Sequence, residues 1–130
     1  MPDQSIRGYI ASLLQQDEIV RFTHEIDPDE NLSAVGWKTY AQLGKGCLFE
    51  SVKGHPGWRV VSQIVADRRK WGVALGVRED EVVATLNERI GRAVDPVLVG
   101  REQASVKEVI RIGAEVDLRE LPAMWTSQAN

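Results

Sequence analysis

Apolar positions recur along the chain with two different periods, and the breaks between them divide it into short elements. After Ser5, which can cap a helix, Ile6, Tyr9, Ile10, Leu13 and Leu14 fall at helical spacing and form one apolar stripe. Gly8 weakens that helix but lies off the stripe. Asp17-Glu18 closes it. Residues 19–26 then read as a strand, with Val20, Phe22 and Ile26 on one face and Arg21, Thr23 and Glu25 on the other. His24 interrupts the apolar face. Asp27-Pro28-Asp29 breaks the strand and opens a second helix. Pro28 suits its first turn, and Asp29 and Glu30 suit the positive end of the helix dipole. Leu32, Val35, Thr39 and Leu43 make its inner stripe, Gly36 leaves room for close packing, and Gly44-Lys45-Gly46 ends it.

Two apolar runs follow, residues 47–52 and 58–64, separated by Lys53-Gly54-His55-Pro56-Gly57. Two glycines and a proline so close together describe tight backbone geometry, so this stretch reads as a turn that doubles the chain back. Whether the loop also touches a ligand or partner stays open. Asp67 caps a third helix, 68–75, which Gly76 terminates. A fourth helix spans 79–92, with Val82, Val83, Leu86 and Ile90 inward and Glu79-Asp80-Glu81 crowding its N-terminus. Asp95-Pro96 stops it. Residues 96–99 are extended, 106–112 alternate like another strand, and 117–122 read as a short turn. The order predicts a mixed α/β (α+β) fold: one small mixed sheet packed with about four helices. Residues 1–125 would form a single domain, with 126–130 as a frayed C-terminal tail.

Composition narrows the class. A chain of 130 residues suffices for one domain, and 43% apolar with 27% charged residues is ordinary for a globular protein. The net charge of −3 and pI near 5.4 give no electrostatic footprint for nucleic acid or an anionic membrane. No apolar run approaches the roughly 20 residues of a membrane span, and MPDQSIRGYI lacks the features of a secretion signal. The single Cys47 has no internal disulfide partner. These points predict a cytoplasmic protein.

Candidate chemistry is sparse. His24 and His55 are the only histidines, and neither has a second His or a Cys at a metal-ligand spacing. His24 reads as a structural strand residue. Cys47 begins an apolar strand and reads as a small core residue, without a local base to activate it. The Gly-x-x-Gly of the 53–57 turn lacks the third glycine and following helix of a dinucleotide fingerprint. Asp67-Arg68-Arg69-Lys70-Trp71 could grip a phosphate or an acidic neighbour. The favoured reading is a solvated helix face, with Trp71, Ala74 and Leu75 turned inward. Glu79-Asp80-Glu81 is better explained by a helix terminus than by a metal.

The order of signals resembles a known family. Ser5-Ile6-Arg7-Gly8-Tyr9-Ile10 and Asp17-Glu18-Ile19-Val20-Arg21 resemble the opening helix and first strand of the UbiD family, the polyprenyl-hydroxybenzoate carboxy-lyase-like decarboxylases that depend on prenylated FMN. Glu25-Ile26-Asp27-Pro28 is similar to the family's "evdp" step. Leu48-Phe49-Glu50-Ser51-Val52-Lys53-Gly54 is similar to its "LFENVKG" stretch, with Ser51 where Asn is usual. Asp67-Arg68-Arg69-Lys70 through Ala74-Leu75-Gly76 resembles its following helix. Glu108-Val109-Ile110, Val116-Asp117-Leu118 and Leu121-Pro122 resemble the segment leading into the flavin domain.

The resemblance spans residues 5–125 and covers only the N-terminal α/β domain of longer proteins. It implies the N-terminal domain or small subunit of a non-oxidative decarboxylase of aromatic or unsaturated carboxylic acids. The complete family enzyme would use prenylated FMN as electron sink together with a divalent metal. The implied partner is a flavin-binding catalytic domain or subunit within an oligomer. The family's catalytic, flavin and metal residues follow the Leu-Pro step, so no catalytic, cofactor-binding or metal residue is assigned here, and the chain alone is expected to be inactive. Two other readings stay open: a stand-alone protein-interaction module, and a truncated product without catalysis. As a subunit the chain should leave an apolar face uncovered, with Met124 and Trp125 as candidates.

Overall fold

The structure, a computed structural model, describes residues 5–124. Helix α1 (Ile6–Gln15) starts where Ser5 Oγ accepts from the Gly8 N–H at 3.1 Å. Strand β1 (Ile19–Phe22), helix α2 (Leu32–Leu43), strand β2 (Gly46–Phe49), strand β3 (Val60–Ser62) and helix α3 (Arg68–Leu75) follow. A 3-10 turn, Glu79–Glu81, leads into helix α4 (Val82–Ile90). Gly44 and Gly76 close α2 and α3 in the left-handed conformation.

The sheet has the order β1-β2-β3. β1 runs parallel to β2 in the register Ile19↔Gly46 to Phe22↔Phe49, with α2 as the crossover, and β3 returns antiparallel with Leu48 opposite Val61. Both faces of the sheet are covered. On one, Leu13 of α1 packs with Ile19 and Leu48, joined by Tyr9, Ile10, Val61, Ile64 and Val73. On the other, Leu32 of α2 packs with Ile26, Cys47, Phe49 and Val52, joined by Phe22, Val35 and Val60. Alternate residues of β2 therefore feed opposite clusters, and all four of its residues are buried. The Phe22 and Phe49 rings stack at 5.1 Å.

The mixed α/β fold of the sequence reading is the one observed, with several boundaries moved. The first strand stops at Phe22, and Ile26 survives only as an isolated bridge to Val52. The second helix begins at Leu32, because Asp27 folds residues 27–31 into a turn. Its carboxylate accepts from the Asp29 N–H, and its carbonyl accepts from the N–H groups of Asn31 and Leu32. Leu43, Val83 and Ile90 face outward rather than inward. The strand expected at 106–112 does not form: Ser105–Lys107 is a 3-10 turn, and the hydrogen-bonded sheet offers those residues no neighbour. Residues 96–99 carry no regular structure. The tail expected at 126–130 lies outside the described residues. No described helix is long and apolar enough to cross a membrane.

Gly36 sits buried where α2 crosses β3; a Cβ there would lie 2.8 Å from Ser62 Oγ and 3.2 Å from Ser62 Cβ. Gly36→Val should therefore cost about 1–3 kcal/mol by overpacking, seen as a lower urea midpoint. An unchanged midpoint would mean that β3 moves aside freely.

Candidate functional site

The most concentrated set of charged groups lies where β1, α2 and α3 meet. Asp67 caps α3, accepting from the Lys70 N–H at 3.2 Å. This fixes the rotation of the helix so that Lys70 and Val73 turn inward. The Lys70 side chain is 0% exposed. Its ammonium donates to Asp67 Oδ2 at 2.7 Å and to the Gly44 carbonyl at 2.6 Å, and stands 3.5 Å from Glu18 Oε2 and 5.3 Å from the Tyr40 ring centre. Arg69 Nη2 also donates to the Gly44 carbonyl, at 3.0 Å. An otherwise unpaired carbonyl at the end of α2 is thus held by two cations. Glu18 Oε2 is buried and has only the ion contact with Lys70, beyond hydrogen-bond geometry.

This arrangement corrects the reading of residues 67–71 as a wholly solvated face. Lys70 is buried, while Trp71 is 39% exposed and Ala74 is exposed. The cap sets the phase of the helix, and the phase overrides the hydropathy of single residues. Above the cluster, the Tyr9 hydroxyl is placed to donate to the Ile64 carbonyl and, at 3.0 Å, to the Lys70 carbonyl. Burial, then the carboxylates of Asp67 and Glu18, push the phenol up to about 12. Lys70 is wholly buried and its polar partners come from three different parts of this chain, so the ammonium ties elements together.

The remaining candidates do not converge. His24 stands exposed beyond the end of β1. His55 lies in the 53–57 turn, with Nδ1 3.2 Å from the Glu120 carbonyl. The loop therefore holds a partner segment of its own chain. Cys47 is fully buried; burial pushes its thiol up, against a hydrogen bond with Thr39 that lowers it, as befits a core residue. Asp80 pairs with Arg78 at 2.8 Å, and the Arg78 hydrogen bond holds its carboxyl below the usual range. Among the described residues no three His, Cys, Asp or Glu side chains gather as a metal site would require.

What the molecule does present is an arm. Residues 91–124 run beyond α4 as extended segments and 3-10 turns, nearly all exposed. Val94 is 91% exposed, Leu98 99% and Val106 82%, and Val109, Ile112 and Leu118 are 74% exposed each. The arm is pinned by His55 and braced within itself by Arg111–Glu120 at 3.3 Å. Met124 is exposed as expected; Trp125 lies outside the described residues. So much apolar surface on one segment marks a contact region rather than a finished exterior.

Comparison with known proteins agrees with this picture. A sequence model of the 3-octaprenyl-4-hydroxybenzoate carboxy-lyase N-terminal domain matches residues 10–90. A phenolic acid decarboxylase of Streptomyces sp. (strain D7) is 26% identical over 124 residues, covering 91% of this chain and 26% of that protein. A gallate decarboxylase of Lactiplantibacillus plantarum is 28% identical over 117 residues, covering 79% of this chain and 23% of that protein. An evolved dimeric form of the UbiD-class enzyme HmfF from Pelotomaculum thermopropionicum, solved in complex with prFMN, superposes with a TM-score of 0.82 at 28% identity. That match covers 97% of this chain and 29% of HmfF. The chain thus spans about a quarter of the length of these relatives.

Proposed function

Because the chain belongs to the family of 3-octaprenyl-4-hydroxybenzoate carboxy-lyase N-terminal domains, we propose that it works as the N-terminal domain or small subunit of a UbiD-class decarboxylase. The reaction in this reading is the non-oxidative loss of CO₂ from an aromatic or unsaturated carboxylic acid, carried out in the cytoplasm by an oligomeric enzyme. The relatives named as phenolic acid and gallate decarboxylases support the substrate class. The observation that carries the reading is the arm at 91–124, whose valines and leucines lie open to a further folded body.

The described residues do not fit a flavin or a divalent metal. No cluster of three metal-ligating side chains exists among them. The loop with Gly54 and Gly57 runs into β3 rather than opening a helix that could hold a phosphate. No step of the reaction is therefore assigned to this chain. Prenylated FMN and the metal would be held by the flavin-binding partner. This domain would contribute a wall: a rigid sheet, locked by the Lys70 cluster, from which the arm reaches the partner. Apolar arm residues buried in that contact would exclude water from the shared interior.

The test is reconstitution. The chain alone, given prenylated FMN, should release no CO₂ from phenolic acids. Co-expressed with its cognate flavin-binding polypeptide, it should co-purify as a stable complex that does. Turnover by the isolated chain, or a monomer that ignores the flavin-binding polypeptide, would overturn the proposal.

A further inference from the structure

We infer that His55 is a clasp: its ring holds the 3-10 turn Leu118–Glu120 of the arm against the β2–β3 hairpin, and so presets the shape in which the arm meets its partner. Both halves of the contact are built before they meet. On the hairpin, the His55 N–H donates to the Val52 carbonyl at 3.0 Å, and the His55 carbonyl accepts from the Trp58 N–H at 3.2 Å. Gly54 and Gly57 supply the positive φ angles, +77° and +81°, that bend the loop on either side of the ring. Lys53 anchors the same loop to Asp27 at 2.6 Å.

On the arm, the Asp117 carboxylate accepts from the Arg119 N–H at 3.0 Å and starts the turn. The Glu120 N–H donates to the Asp117 carbonyl, the Leu121 N–H donates to the Leu118 carbonyl, and Arg111 reaches the Glu120 carboxylate at 3.3 Å. The last carbonyls of a helical turn lack partners within it. That of Glu120 meets His55 Nδ1 at 3.2 Å. A carbonyl can only accept, so Nδ1 must carry the proton.

What makes the contact decisive is how little else holds the arm. Neither core cluster includes a residue of 91–124. Among the described residues, the His55 bond is the one hydrogen bond that joins the arm beyond Asp95 to residues 5–90. A segment with so little burial opens and closes readily, so one donor shifts its balance. Clasped, the turn presents Leu118 and Leu121 to solvent in a fixed arrangement. A partner then docks on an ordered segment and does not bear the cost of ordering it.

Three measurements test the clasp, the first two on the full chain alone. Ring ¹⁵N NMR at about pH 9, where an ordinary imidazole is neutral, should find the His55 proton on Nδ1, with His24→Gln separating the two histidines. Trypsin should cut after Arg119 about three- to tenfold faster in His55→Ala than in the wild type. His55→Asn, whose amide nitrogen replaces Nδ1 as donor, should restore the slow rate. Cleavage after Arg101, elsewhere on the arm, should be equal in all three. A proton on Nε2, equal cutting after Arg119 in wild type and His55→Ala, or cutting of His55→Asn as fast as of His55→Ala would overturn the inference. The third measurement rests on the decarboxylase reading: His55→Ala should bind the flavin-binding polypeptide about three- to tenfold more weakly than the wild type, and His55→Asn like the wild type. Equal affinities would refute the presetting. A wild-type chain that ignores that polypeptide would strike the decarboxylase reading, while the tautomer and the cleavage rates still decide the clasp.

Discussion

Lys70→Met should lower the unfolding free energy by about 3–5 kcal/mol, because it strands buried acceptors that the ammonium now satisfies. Methionine retains the buried stem but leaves Asp67 Oδ2, the Gly44 carbonyl and Glu18 Oε2 without their shared cation. The side chains of Asp67 and Glu18 are 22% and 17% exposed, so water can relieve them only in part. The effect should also carry a pH signature. Burial pushes the Asp67 carboxyl upward, but the hydrogen bonds and charge of Lys70, with the charge of Arg69, hold it below the ordinary value. A carboxyl depressed in the folded state contributes stability above its unfolded pKa and loses it as the pH falls through its folded pKa. The gap between wild type and variant should therefore be widest near neutrality and narrow in acid. Urea melts across that range would check it, and parallel stability curves throughout would show that Asp67 does not depend on Lys70.

Phe49→Ala should cost a similar amount, about 3–5 kcal/mol, for a different reason. Phe49 is 0% exposed at the end of the central strand, with Phe22 stacked on it and α2 above. Truncation removes transferred apolar surface and opens a void that a residue fixed between two strands cannot refill. The lost ring pair adds about 0.5–1.5 kcal/mol within that total. Phe49→Leu, which keeps most of the volume, should cost markedly less. The midpoint of denaturation separates the variants; equal losses for Ala and Leu would mean that ring shape, not volume, sets the cost.

The parts of the fold legible in the sequence were those governed by local chemistry. Ser5 and Asp67 cap the helices expected of them, Gly76 ends α3, and the 53–57 stretch turns the chain between β2 and β3. What local pattern misjudged was decided at a distance. Residues 106–112 alternate like a strand, yet pairing needs a neighbouring edge, and alternation carries no information about one. Lys70 is a cation in a basic run and reads as surface; its burial depends on Gly44 and Glu18, which reach it through the tertiary fold. The arm is the opposite case: its apolar residues are plain in the sequence, and their exposure is the informative fact.

The wholly buried central strand has one more consequence. Gly46, Cys47, Leu48 and Phe49 are all buried, so a one-residue slip of β2 would keep three of them inside, and polarity opposes it only at one end of the strand, through Lys45 or Glu50. Volume adds a second constraint. A Cβ at position 46 would lie 3.1 Å from the Ser62 carbonyl oxygen and 3.2 Å from that of Gln63, so a slipped strand would drive a side chain into rigid backbone there. A single hydrogen atom at the head of the strand thus acts as the sheet's alignment key. Insertions or deletions between α2 and β2 should be tolerated far less than the short, glycine-rich link there suggests.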